Sequence, residues 1–202
     1  APSGGTSPFD SHSVSISSDS LGTLKFAGEG GANVQTAVDT TAAGDIWDSG
    51  FGITAAQDPK GSASGDNMMS YTLPTIMEGV ALSASYSPKG TGAASSSAYA
   101  IAYTGVEGLT VNYATGSSDG TAGSESDTTT MKASYAYGSV TVGYSQNEFD
   151  GAGTDVNTDQ EVTSYQVAYT VSDAISVSYG VEDIKTPDNA SDQDIETSGI
   201  VA

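Results

Sequence analysis

Apolar and polar positions alternate strictly along most of this chain, and no stretch keeps the three-and-four apolar spacing of an amphipathic helix. Val14 and Ile16, then Leu24 and Phe26, mark two short runs near the start. Val80, Leu82, Ala84 and Tyr86 share one face against Ala81, Ser83 and Ser85. Tyr99, Ile101 and Tyr103 alternate with alanines, and Leu109, Val111 and Tyr113 with Thr110 and Asn112. Met131, Ala133, Tyr135 and Tyr137 oppose Lys132, Ser134 and Ala136; Val140, Val142 and Tyr144 oppose Thr141, Gly143 and Ser145. Tyr165 to Val171 and Ile175 to Val181 repeat the pattern. Each run predicts a β-strand with one apolar face and one small or polar face.

The connections alternate as well. Short turns fall at Asp19–Gly22, Thr75–Gly79, Gly105–Gly108, Gly138–Ser139 and Ser172–Ala174. Long loops fall at Ala27–Asn67, Ser87–Ser97, Thr115–Asp127, Gln146–Glu161 and Asp183–Glu196. The unit is a hairpin of roughly 30 residues. Short turns at one end and long loops at the other are the habit of transmembrane antiparallel up-and-down β-barrels. The expected strands, about nine to twelve residues, suit a tilted barrel strand. Tyr recurs near strand ends, as an aromatic girdle at a membrane interface requires.

Composition narrows this picture. The formal net charge is −20, from 25 acidic residues against five lysines and no Arg. A nucleic-acid binder needs clustered basic residues, so that class is excluded. There is no Cys and one His, which removes disulfide scaffolds, thiolate metal sites and His-rich zinc sites. No run of about 18 apolar residues offers a membrane-spanning helix. Ala1 to Asp10 carries no basic or apolar stretch of a signal peptide, which is also how a secreted chain looks after cleavage. A soluble β-sandwich or β-solenoid also alternates. Two features favour the barrel: the non-apolar faces are rich in Ser, Ala, Thr and Gly rather than Lys and Glu, and most carboxylates fall in the five long loops.

Catalytic chemistry is poorly served. His12 lies in Asp10-Ser-His-Ser, but sequence neighbours cannot adopt the spatial roles of a triad. Asp155, Asn157 and Asp159, with Asp188, Asp192 and Asp194, present alternating oxygen ligands of the kind Ca²⁺ takes. The first set starts like an EF-hand but lacks Gly at the sixth position and Glu at the twelfth. The expectation is solvated acidic loops that bind Ca²⁺ weakly, with no other cofactor.

Ser13-Val-Ser-Ile-Ser, followed by Leu21-Gly-Thr-Leu-Lys-Phe-Ala-Gly-Glu29, resembles the strand pair before the constriction loop of Gram-negative general porins, in particular the alphaproteobacterial type. Asp66-Asn-Met-Met-Ser-Tyr-Thr-Leu-Pro74 and Gly79-Val-Ala-Leu-Ser-Ala-Ser-Tyr86 resemble the segments that follow that loop. The resemblance covers Ser13 to Tyr86; the later hairpins match in architecture. The family's Glu-Phe-Gly-Gly word is replaced by Trp47-Asp-Ser-Gly-Phe-Gly52, and its Arg ladder is absent.

The resemblance implies an internal portion of a 16-stranded outer-membrane barrel. About ten strands are present, with an eleventh beginning at Thr197. It further implies a homotrimer among lipid and lipopolysaccharide that passes small hydrophilic solutes passively. Residues 27–67 become the inward-folded constriction loop, with Glu29, Asp39, Asp45, Asp48, Asp58 and Asp66 as a carboxylate lip against Lys60. Such a lip favours cations. Parity then assigns the wall: with Leu24, Phe26 and Met131 toward lipid, Thr23, Lys25, Lys132 and Ser134 point inward. Ser83, Ser85, Asn112, Thr141, Gln166, Ser176 and Ser178 complete the pore lining. A shift of one residue would reverse every assignment. The other reading is a secreted acidic β-rich surface protein, an adhesin or surface-layer component, that binds Ca²⁺.

Overall fold

The alternation folds into a single meander. The computed structural model describes residues 12–35, 41–43, 59–61, 66–88, 95–119, 125–151, 159–185 and 193–201. Its strands are β1 (His12–Ser18), β2 (Gly22–Glu29), β3 (Met68–Thr72), β4 (Val80–Ser87), β5 (Ser95–Tyr103) and β6 (Leu109–Asp119), then β7 (Ser126–Tyr137), β8 (Val140–Asp150), β9 (Gln160–Ser172), β10 (Ile175–Lys185) and β11 (Gln193–Val201). They form one 11-stranded sheet in strict sequence order, every neighbouring pair antiparallel. No helix among the described residues is long and apolar enough to cross a membrane, which leaves crossing by strands untouched.

Glycine at the short turns has a steric reason. Gly108 has φ of +77°, and a Cβ there would lie 2.2 Å from the carbonyl oxygen of Ala136. Only a residue without a side chain closes that turn at no steric cost.

Register sorts the side chains into two faces. One carries Val14, Ile16, Phe26, Tyr71, Tyr99, Ile101, Tyr113, Val142, Val167 and Tyr179, all exposed. On it Tyr144 and Tyr165 pair across β8 and β9 with ring centroids 5.3 Å apart. The opposite face carries the small and polar residues, and much of it is buried. Burial is therefore inverted relative to a soluble sheet, as a barrel wall between lipid and water demands.

The strands are longer than the apolar pattern predicts. The expected loops Ser87–Ser97, Thr115–Asp127, Gln146–Glu161 and Asp183–Glu196 shrink, because backbone pairing continues past the last apolar side chain. Asp127 pairs with Asp150, and Glu148 with Glu161. Asp119, Asp127, Glu148, Asp150, Glu161 and Asp183 are thus strand residues, against the expectation that carboxylates keep to the loops. Glu29 closes β2 instead of opening the long loop. The last strand starts at Gln193, not Thr197, so Asp194 is within it and pairs with Asp183. A ladder is made of backbone N–H and C=O groups, so polar side chains do not end it.

Candidate constriction site on the inner wall

The described parts of the connection between β2 and β3 lie along the polar face of the sheet. The connection leaves β2 at Gly30, whose N–H donates to Asp66 Oδ1 at 3.2 Å, so the two ends of the loop are clasped together. Ser87 donates its hydroxyl to the Asp66 carbonyl, and Asn67, at φ of +58°, donates its N–H to Gly28 O. Between these ends, the described parts of the loop meet the wall on four strands.

Val34 N–H donates to Ser85 Oγ on β4 at 3.1 Å. Gln35 Nε2 donates to Thr130 Oγ1 on β7 at 2.8 Å. Ala42 N–H donates to Ser145 Oγ on β8 at 2.8 Å, and Ala43 N–H to Ser164 Oγ on β9 at 2.9 Å. Lys60 is held from both sides: its N–H donates to Gln160 Oε1 at 2.8 Å, and its carbonyl accepts from Asn147 Nδ2 at 3.0 Å. Thr130 also donates to Asn147 Oδ1, so Gln35 and Lys60, distant in sequence, meet at one node on β7 and β8. The Lys60 ammonium sits 5.4 Å from the centroid of the Phe149 ring, a cation–π distance.

The wall beneath is shaped for this. β5 and β6 lie between Ser85 and Thr130, and there the inward residues are Ala98 and Ala114, both fully buried. On β8, a Cβ built on Gly143 would lie 3.4 Å from Ala42 Cβ, at van der Waals contact, so the loop rests on the strand with no room for a larger side chain there. Gln35 and Ser164 have no exposed surface at all. A buried polar group without a partner is costly, and here loop amides and wall side chains satisfy one another. The contacts at Thr130 and Ser164 lie four residues in from the long-loop end of their strands, about 13 Å along the strand. These contacts of the loop therefore lie below the long-loop ends of β7 and β9.

All of the expected pore-lining residues share this inner face. Ser85 touches the loop directly. Ser70 pairs with both Ser85 and Lys25, and Thr72 with both Ser83 and Thr23. Asn112 pairs with Lys132, which pairs with Ser145. Ser134 pairs with Gly143, which pairs with Gln166. Thr141, Ala168 and Ser178 form another row, and Ser176 pairs with Thr170. Lys25 borders a shallow cavity of about 140 Å³ with His12, Ala27 and Glu29. There His12 Nδ1 lies 3.9 Å from Glu29 Oε2.

The carboxylate lip is less complete. Glu29 and Asp66 are placed near the loop's ends. Asp39, Asp45, Asp48 and Asp58 fall outside the described residues, as does the Trp47–Gly52 segment. The Ca²⁺ candidates Asp155, Asn157, Asp188 and Asp192 also fall outside them. Asp159 accepts an N–H from Gly151 at 2.8 Å. Among the described residues, no three His, Cys, Asp or Glu side chains come together as a metal site.

The sequence reading missed the anchors. Thr130, Ser145, Asn147, Gln160 and Ser164, with the buried Glu182 opposite Ser164, belong to the inner face. Their signal was the same period of two, continued past Tyr144 and before Tyr165. It went unused because the apolar partners that make alternation visible end there.

Solved structures share this architecture. A loop-deletion mutant of OmpT, an outer membrane protein of Vibrio cholerae, superposes with a TM-score of 0.66 at 16% identity, over 95% of this chain and 68% of that one. An anion-selective porin from Comamonas acidovorans gives 0.61 at 16% identity, over 94% of this chain and 61% of that one. A porin refined at 1.8 Å gives 0.60 at 17% identity, over 93% and 68%. This chain thus spans about two thirds of the length of these porins or somewhat less. No curated protein matches it. The family model for Gram-negative porins matches residues 2–202. With an all-antiparallel wall, an apolar outer face and a loop packed on the inner one, the chain belongs to the Gram-negative porin family and is an outer-membrane protein.

Proposed function

We propose that this protein forms a passive, water-filled channel for small hydrophilic solutes, with a preference for cations. The observation that carries it is the loop between β2 and β3, hydrogen-bonded to β4, β7, β8 and β9 on the polar face. A loop held there narrows a lumen without plugging it, and the wall beside it offers hydroxyls and amides to passing water and solute. No enzyme chemistry, energy source or cofactor is needed; weak Ca²⁺ binding by the acidic loops is compatible with this role.

The cation preference rests on charge. The whole chain stands at −20, with no Arg, and the lysines on the described inner side are Lys25 and Lys132 on the wall and Lys60 on the loop. Carboxylates near a narrow aqueous path raise the local cation concentration. The anion-selective relative has the same fold at 16% identity, so selectivity is set by side chains, not by the barrel.

The 11 strands then form part of a 16-stranded barrel, as the general-porin resemblance implies. β1 and β11 each have one partner strand among the described residues. A homotrimer of such barrels is the assembly that the same resemblance implies. Single-channel recording in a planar bilayer tests the channel: discrete conductance steps are expected, and a folded barrel without them would sink the reading. A salt gradient across the same membrane tests selectivity. A reversal potential of anion sign would overturn the cation preference and leave the channel standing.

A further inference from the structure

The outer faces of β7 to β10 are apolar over an unusually short height. On β8 the outward residues are Val140, Val142 and Tyr144, followed by Gln146, Glu148 and Asp150. On β7 they are Tyr137, Tyr135, Ala133 and Met131, then Thr129 and Asp127. On β9, Val171, Tyr169, Val167 and Tyr165 give way to Thr163 and Glu161. On β10, Ile175, Val177, Tyr179 and Val181 give way to Asp183 and Lys185, an ion pair at 3.4 Å. The apolar stretch runs over four to six residue steps, about 13–20 Å along the strand. At a barrel tilt of about 40° that is roughly 10–15 Å of height.

A typical outer-membrane apolar band is about 25 Å tall, which at this tilt needs about ten residue steps. Ten steps from the turn end carry the band from Val140 to Asp150, from Tyr137 to Asp127, from Val171 to Glu161 and from Ile175 to Lys185. Every one of these ends on a charge. The band cannot slide the other way, because the turns at Gly138–Ser139 and Asp173–Ala174 come directly below it. Irregular backbone facing lipid has unsatisfied polar groups and is not tolerated in hydrocarbon. The lower edge is thus pinned by turns and the upper edge by Gln146, Thr163 and the carboxylates above them.

We propose that β7 to β10 face a locally thinned hydrocarbon layer, with Thr129, Gln146, Thr163 and the carboxylate rows above them in the polar headgroup and saccharide zone. The partner is the bilayer itself, and this surface is continuous with the lipid-facing wall of an outer-membrane protein. Outer membranes are thinner than average, and mismatch beyond that is met by thinning the lipid next to the wall. Tyr144 and Tyr165 then mark the upper interface, at the apolar–polar boundary that tyrosine favours.

The test is folding of the full-length protein from urea into phosphatidylcholine vesicles with didecanoyl, dilauroyl, dimyristoyl or dioleoyl tails. Folded fraction is read by circular dichroism and heat-modifiable gel mobility. The wild type is expected to lose folded fraction as tails lengthen. Thr129→Val with Gln146→Leu and Thr163→Val raises the apolar edge by one outward row. The folded-to-unfolded ratio of this variant in dioleoyl vesicles should exceed that of the wild type by roughly tenfold. Identical tail-length profiles for the two proteins would overturn the proposal.

A second measurement does not depend on the triple variant folding. A Tyr144→Trp reporter in a Trp47→Phe background should be quenched best by lipids brominated near the headgroup. Strongest quenching by bromines at the bilayer centre would also overturn it. Conductance of the same samples separates a failure of this lipid fit from a failure of the channel reading.

Discussion

The two faces of β7 to β9 carry the same backbone and opposite chemistry. Toward the loop stand Thr130, Ser145, Asn147, Gln160 and Ser164, polar and almost wholly buried. Toward the outside stand Met131, Tyr165, Val167 and Tyr169, apolar and exposed. In a soluble protein each set would be misplaced. Here the buried set is satisfied by the loop that covers it, and the exposed apolar set is the arrangement expected of an outer-membrane barrel wall. The comparison teaches that burial follows from which solvent meets each face, and that a polar face buries well when a loop supplies matching donors and acceptors.

The sharpest way to break the contrast is to place one charge on either face of β9. Val167→Arg puts a guanidinium toward lipid and should lower stability by about 2–4 kcal/mol near the bilayer midplane. Urea titration in vesicles reads it. Gln166→Arg, one residue away on the other face, should leave the unfolding midpoint close to wild type and move the reversal potential toward anions. Equal destabilisation by both would mean that the faces are misassigned.

Next in size is the loop's seat. Ser164→Ala removes the acceptor of the Ala43 N–H and leaves it buried without a partner, a cost of about 1–3 kcal/mol. Local opening is the cheap response, so amide exchange at residues 41–43 should speed up by roughly tenfold or more, with noisier open-channel current. Unchanged exchange there would show that this contact does not hold the loop.

Gly143→Val probes the same seat from below. A Cβ already lies 3.4 Å from Ala42, and the added methyls overlap the loop, with an overpacking cost of about 1–3 kcal/mol. Displacement of the loop should change conductance while the urea midpoint of the barrel stays near wild type. A conductance equal to wild type would refute the close packing.

The smallest effect is electrostatic. Lys132→Gln removes one inward cation and should raise the cation-to-anion permeability ratio by about twofold, as one screened charge warrants. The ratio read from reversal potentials should rise further when Lys25→Gln is added. A fall in either case would contradict the inward placement of these lysines.

Most of the wall could be read directly from the chain. Alternation of Leu24, Phe26, Met131 and Val142 with Lys25, Lys132 and Thr141 separates the same two sets of side chains that the register puts on opposite faces, since a strand has period two. The upper halves of β6 to β10 were not legible. Above Tyr113, Met131, Tyr144 and Tyr165 the outward face becomes polar and the inner one mixes polar residues with Phe149 and Val162, so the contrast that marks a strand fades although the ladder persists. The anchors Thr130, Asn147, Gln160 and Ser164 lie in that stretch and stayed hidden with it; Ser145 was on the polar face already, but nothing marked it as an anchor.

The sequence by itself determined the strand period, the two faces, the short turns at glycines such as Gly108, and the excess of carboxylates. These are local properties, set by backbone sterics and side-chain polarity. Only the tertiary structure decided that the described parts of the loop after β2 dock on the polar face, and that Gln35 and Lys60 are linked through Thr130 and Asn147. The loop's contacts with the wall join residues about 50 to 120 positions apart, and no local pattern encodes which hydroxyl a distant amide will find.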